Sequence, residues 1–377
     1  MGKRETKTGK HGSAISHHRL NALLSSLIDI YSPSGKEEEI LQFLIAYLEK
    51  HRIPFDRQYL DESRYNIIAA PADTDILCAF IGHVDTIPAY DFDHYGYERN
   101  GDTVMGLGSA DMKGGCAALI EAYCAIHGEL ATSPPVALVL VVGEEEIGDG
   151  AETLVKDYHF PWALIAEPTH LVPCLSHYGY LEIQILSEGK RKHASLSKSG
   201  QNPIDAILRL LLAFSSYIET SRPTLVYNIR DLYSPQAGYV VPEWCEAWID
   251  MHIPPDGPIG EITYELEEMI DHHRALHPDL EISLRLSTIQ NGYDIPDKGP
   301  TIETFHRVFT DHDLPWSPQP FRSHSDANTL WESGIKPIIL GPGRLEQAHA
   351  TEEYISFAEV LRAAGIYYDL LAHFSAH

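Results

Sequence analysis

At 377 residues the chain is longer than a single hydrophobic core ordinarily serves, so two domains are expected. Its 44% hydrophobic and 22% charged residues are those of a soluble globular protein. The 54 acidic against 28 basic residues give a formal charge of −26, which excludes nucleic acid and anionic membranes as natural partners and leaves small molecules or other proteins.

In chain order, residues 1–17 carry charge without an apolar run, which excludes a secretory signal and predicts a mobile arm. Helical periodicity follows in HRLNALLSSLIDI and KEEEILQFLIAYLEKH, joined by the turn signal YSPSG. Next come the short apolar strands YNIIAA and ILCAFIG, the helix KGGCAALIEAYCAIHG, and the strands VALVLVV and WALIAEP. Strands alternating with helices predict an α/β fold with a mainly parallel sheet, whose ligands gather beyond the carboxyl ends of the strands.

From about residue 178 the pattern changes to period-two alternation in GYLEIQIL, CEAWIDMHI and LEISLRL, interleaved with the helices PIDAILRLLLAFSSYIE and IGEITYELEEMIDHHRAL. An inserted α+β unit of the β-α-β-β-α-β, ferredoxin-like kind is predicted over 178–288. The α/β pattern resumes with TIETFHRVF, KPIILG and FAEVLRAAGIYYDLLAHF, so the first domain is discontinuous, 18–177 and 289–377. Five cysteines, odd in number and without C-x-x-C spacing, read as reduced thiols of a cytoplasmic protein. No apolar stretch reaches the roughly 18 residues of a membrane span.

The chemistry sits at the strand ends. ILCAFIG runs into His83 and Asp85, a pair in which the carboxylate can orient a metal-ligating imidazole. In GLGSADMKGG an aspartate, Asp111, stands where a dinucleotide-binding fingerprint needs its third glycine, so a phosphate cradle is excluded and a carboxylate at a helix start is predicted instead. VALVLVV ends in Glu144, Glu145 and Glu146, WALIAEP contributes Glu167, and the loop after KPIILG contributes His349. Like charges gathered at one buried edge repel unless cations balance them. Two imidazoles and several carboxylates are the donor set of a two-metal hydrolase, with Zn²⁺ the expected ion and Co²⁺ or Mn²⁺ its substitutes.

In order along the chain, GHVDTIP, GLGSADMKGG, GEEEIG, AEPT, GKRKHASLSKSGQNPIDA, GPG and AHATEEYI resemble the M20 metallopeptidases and deacylases, which include acetylornithine deacetylase, succinyl-diaminopimelate desuccinylase, aminoacylase and carboxypeptidase G-type enzymes. The resemblance covers nearly all of the chain after the arm. It implies a di-zinc catalytic domain and an inserted lid domain that mediates a homodimer. It implies that His83, Asp111 and Glu167 hold one metal and Asp111, Glu146 and His349 the other, that Asp85 orients His83, and that Glu145 is the general base. The triplet also permits the earlier register, Glu144 as base and Glu145 as ligand; the spacing to Gly148 favours the later one. His193 corresponds to the lid histidine that stabilises the oxyanion, and Asn202 either contacts substrate or caps the helix that follows it.

Where the family carries an arginine in a lid D-x-R motif, this chain reads IDMH, which puts His252 at a position that elsewhere pairs with a substrate carboxylate. SHYGY lacks the basic residues expected of a desuccinylase, and Arg322 can supply the missing guanidinium or lie on the surface. The implied activity is removal of an acetyl group from an N-acyl amino acid, with a dipeptidase as the nearest alternative and a non-catalytic binding protein as a remote one.

Overall fold

The computed structural model describes residues 14–72, 74–90, 95–129, 134–198, 200–236 and 238–375. Most of the expected arm lies outside them, and His17 already opens a helix, His17–Asp29, whose start is capped by Ser16. The chain divides into two compact units: residues 1–175, 295–321 and 325–377 form one, and residues 176–294 with 322–324 form the other. Among the described residues no helix is long and apolar enough to cross a membrane.

The first unit is built on a six-stranded sheet in the order Asp56–Tyr59, Tyr65–Ala69, Val136–Val141, Cys78–His83, Trp162–Ile165, Lys336–Ile339. The last four run parallel, and the first two are antiparallel additions at one edge. Cys78–His83 and Val136–Val141 are buried along their whole length, which explains why they read as unbroken apolar runs rather than alternating ones. The helix Gly114–Glu129 is buried from Gly114 through Ile126 and packs against the last helix, Phe357–Phe374. Close approach at the strand exit is what Gly115 and Gly341 permit: a Cβ on either would lie 2.3 or 2.2 Å from the Ala166 carbonyl oxygen. That tight packing fixes the chain at Ala166 and so aims the neighbouring Glu167.

The second unit follows the order strand, helix, strand, strand, helix, strand: Gly179–Glu188, Pro203–Ser221, Val226–Tyr233, Trp244–Ile253, Ile259–Leu276, Glu281–Gln290. Its four strands pair antiparallel, with Gly179–Glu188 and Trp244–Ile253 in the centre and Val226–Tyr233 and Glu281–Gln290 at the edges. Alternate residues of the central strands, Leu181, Ile183, Ile185, Ala247, Ile249 and Met251, make a core with Leu210, Phe214 and Ile262 of the two helices. The edge strand Val226–Tyr233 is exposed on both faces and carries Asn228, Arg230 and Asp231, so it lacks the alternation that marks its neighbours in the sequence.

Candidate metal centre

Five chain segments of the first unit end beside one another. His83 closes the strand Cys78–His83 and is 1% exposed. Its Nδ1 lies 3.1 Å from the Asp85 carbonyl oxygen and 3.6 Å from Asp85 Oδ1, so that side of the ring is committed and Nε2 is aimed at the cluster. Nε2 is 3.3 Å from Asp111 Oδ1, 3.7 Å from Glu167 Oε1 and 3.9 Å from Glu144 Oε2. On the far side of Asp111, His349 Nε2 is 3.7 Å from Asp111 Oδ2 and 2.8 Å from Glu145 Oε2. Asp111 thus stands between two imidazoles.

The register of the acidic triplet differs from the expected one. Gly143 takes φ +75°, and its carbonyl accepts from the N–H groups of Ile147 and Gly148, closing a turn. Within the turn the N–H groups of Glu144 and Glu145 donate to the two oxygens of Asp85, at 3.2 and 3.1 Å. The side chains of Glu144 and Glu145 therefore point inward, only 10% and 6% exposed. Glu146, expected as a metal ligand, is exposed and makes no ion pair among the described residues. The turn is anchored at its start, on Gly143 and Asp85, so the first two glutamates face inward and the third faces out.

Asp85 is wholly buried and also accepts from Ser34 Oγ at 2.6 Å. Burial alone would raise its carboxyl, but His83 and these donors hold it below the usual carboxylate range. Glu144 and Glu167 behave oppositely: burial, then their neighbouring carboxylates, push both well above it. The turn is braced from behind by Arg64, whose Nη1 and Nη2 donate to Asp149 at 2.6 and 2.8 Å and whose Nε donates to the buried Glu37 at 3.1 Å. Neither this fork nor Glu353, described below, takes a role from the sequence alone, although Glu353 lies within AHATEEYI, directly before the short strand Tyr354–Ser356.

Two sets of donors lie with all their ligand atoms within 4.8 Å of one another: His83, Asp111 and Glu145, and His83, Glu144 and Glu167. Buried oxygens and imidazole nitrogens at this spacing fit divalent ions of the zinc type, and the raised carboxylates are those of a cluster in which like charges crowd together.

The remaining expected residues belong to the second unit. His193 is exposed, with Nδ1 2.7 Å from Ser195 Oγ. Asn202 caps the helix Pro203–Ser221, its Oδ1 accepting from Ile204 N–H at 3.0 Å. Arg322 is exposed and makes no hydrogen bond or ion pair among the described residues. His252 is half-buried on Trp244–Ile253, its Nδ1 has no hydrogen-bond partner among the described residues, its ring lies 5.4 Å from that of Tyr180, and burial lowers its affinity for a proton.

Nearby, His177 is 0% exposed, and burial, then His324 and His252, bring it down to about 3. Between that value and the ordinary 6.5 the unfolded chain binds a proton that the folded one refuses, so stability is lost as pH falls. Metal-free protein should lose roughly 2 kcal/mol from this residue between pH 6.5 and 5. Urea unfolding at the two pH values checks it: His177→Gln should flatten the slope, and an unchanged slope would contradict the neutral, buried imidazole.

A sequence model described as peptidase family M20/M25/M40 matches residues 79–373. Acetylornithine deacetylase of Myxococcus xanthus is 23% identical over 379 residues, covering 94% of this chain and 97% of that relative. Among solved structures, a tripeptidase from Staphylococcus aureus is similar at a TM-score of 0.79 with 19% identity, covering 97% of this chain and all of the other. A dinuclear metal-binding M20 peptidase from Bacillus subtilis is similar at 0.69 with 12% identity, covering 96% and 98%.

Proposed function

The chain belongs to peptidase family M20/M25/M40 and is a hydrolase of amide bonds, and from that premise we propose that it removes the acetyl group from a small N-acetyl amino acid with two zinc ions as cofactor. The observation that carries the reading is the pair of donor sets meeting at His83, with Asp111 standing between His83 and His349; the end-to-end likeness to an acetylornithine deacetylase supports the acyl group. A site with three protein ligands leaves a position open for substrate or water. His83, Asp111 and Glu167 fill one such site, and Asp111, Glu145 and His349 fill the other. One inward carboxylate, Glu144, is then left over, and we assign it as the general base.

When bound, the two ions supply Lewis acidity toward the amide carbonyl and acidify water. Asp85 fixes the His83 ring so that Nε2 keeps its lone pair for the cluster. Glu144 takes a proton from the attacking water and delivers it to the amine nitrogen as the C–N bond breaks. His193 donates to the oxygen that becomes negative in the tetrahedral state. In the second unit, His252 is neutral at pH 7 and offers hydrogen bonds rather than a fixed cation, which suits a substrate whose own carboxylate is met by Arg322; Asn202 serves as a helix cap.

Amine release from a panel of N-acetyl amino acids and simple dipeptides, with zinc-loaded and chelated protein in parallel, tests the reading. Turnover of N-acetyl substrates that disappears with chelator is the expected result. Turnover of dipeptides alone would make the protein a dipeptidase, and silence from protein holding two metals would overturn the substrate class. A homodimer through the second unit is proposed alongside: its edge strand Val226–Tyr233 leaves Val226, Ile229, Leu232 and Tyr233 between 39% and 63% exposed. Sedimentation as a monomer at micromolar concentration would remove that part.

A further inference from the structure

One carboxylate outside the ligand set holds the Asp111 turn together. Glu353 is 5% exposed. Its Oε2 accepts from the N–H of Gly108 at 2.8 Å, and its Oε1 accepts from those of Ala110 and Asp111 at 2.7 and 3.0 Å. Its carbonyl oxygen accepts from Gly106 N–H at 3.2 Å. Four hydrogen bonds from one residue therefore close on 106–111, across 242 positions of sequence between Glu353 and Asp111. Gly108, at φ +74°, lets successive N–H groups converge on a single anion, the concave arrangement in which backbone binds negative charge. Directly after Glu353 the strand Tyr354–Ser356 pairs antiparallel with Thr103–Met105, Tyr354 opposite Met105, so the same junction is locked from its other side.

His349 stands four residues before Glu353 in the same segment, and it is more loosely held: its side chain is 51% exposed, and its ion pairs among the described residues are with Glu145 and Asp111. The hydrogen bonds of Glu353 are what tie this segment to the Asp111 turn. An amide could not replace the carboxylate, because its one carbonyl oxygen would serve at most two of the three donors and the –NH₂ would point at the remaining N–H.

We propose that Glu353 is a positioning residue that joins the His349 segment to the Asp111 turn, so that the metal position shared by Asp111, Glu145 and His349 forms only while its carboxylate caps residues 108–111. The inference rests on the ligand assignment given above. Zinc titration of metal-free protein, followed by calorimetry and by competition with a chromophoric chelator, tests it. Wild type should take up two ions; Glu353→Gln should retain one and bind the second at least 30-fold more weakly, with the melting temperature of the metal-free protein within a few degrees of wild type. In a His349→Ala background the same substitution should cost no further metal affinity. Two ions bound to E353Q with wild-type affinity would overturn the proposal. Should E353Q not fold, Glu353→Asp, which keeps the charge but is one methylene short of the three donors, is read in the same titration, and wild-type affinity there would equally overturn it. Wild type binding fewer than two ions would instead remove the ligand assignment, and the inference with it.

Discussion

Glu144→Gln is expected to keep two metal ions per chain while lowering kcat by about 10²- to 10⁴-fold, the range that a positioned proton carrier contributes. Glutamine has the shape of glutamate and leaves the N–H of residue 144 on Asp85 Oδ1, so the turn survives the change. What is lost is the ability to accept a proton from water and to return it to the departing amine. KM should move little, since the carboxylate acts on the reacting atoms rather than on the substrate's tail. Glu146→Gln, on an exposed side chain, should stay within about twofold of wild type in the same assay. A reversal of the two results, with Glu146 essential and Glu144 dispensable, would restore the later register and contradict the inward turn.

Asp111→Asn should bind at most one metal ion and show no measurable turnover. Asp111 presents Oδ1 to His83 and Oδ2 to His349, at 3.3 and 3.7 Å, so its two oxygens face the two halves of the cluster. An asparagine has one acceptor oxygen and an –NH₂ that repels a cation, so it can serve one ion and not two. Metal analysis after gel filtration, beside His83→Ala and His349→Ala, gives the comparison: each histidine change should weaken one site, while the aspartate change affects both. Two tightly held ions in Asp111→Asn would show that the aspartate does not bridge.

The strand ends were legible because buried parallel strands advertise themselves as apolar runs, and polar residues that interrupt such a run at its carboxyl end have few structural uses. His83, Asp85, Glu145 and Glu167 were read from the ends of such runs, and the structure brings their side chains beside Asp111 and His349. The order of the triplet was not legible, since three identical residues contain no information about which of them a turn will face inward; that was settled by Asp85, from a different strand end, accepting two of their N–H groups. Glu353 and the Arg64 fork escaped for a related reason. Their partners lie 242 positions away in one case, and 27 and 85 in the other, and no periodicity connects residues so far apart. In the second unit the alternating strands were plain, whereas Val226–Tyr233, exposed on both faces, had no buried side to write a pattern into the sequence.

The discontinuity of the first unit has a consequence for synthesis. Everything the second unit needs, residues 176–294 apart from a three-residue return, leaves the ribosome as one uninterrupted stretch and can condense as soon as it emerges. The first unit must wait. Its edge strand Lys336–Ile339, the His349 segment and the helix Phe357–Phe374 that packs on Gly114–Glu129 are all made after the second unit. Until then the apolar strands Cys78–His83 and Val136–Val141 have no complete cover, and the acidic strand ends have no second imidazole. A nascent chain stalled before residue 349 would therefore hold a finished inserted unit on an open, aggregation-prone half-sheet, with the metal position that His349 shares still incomplete.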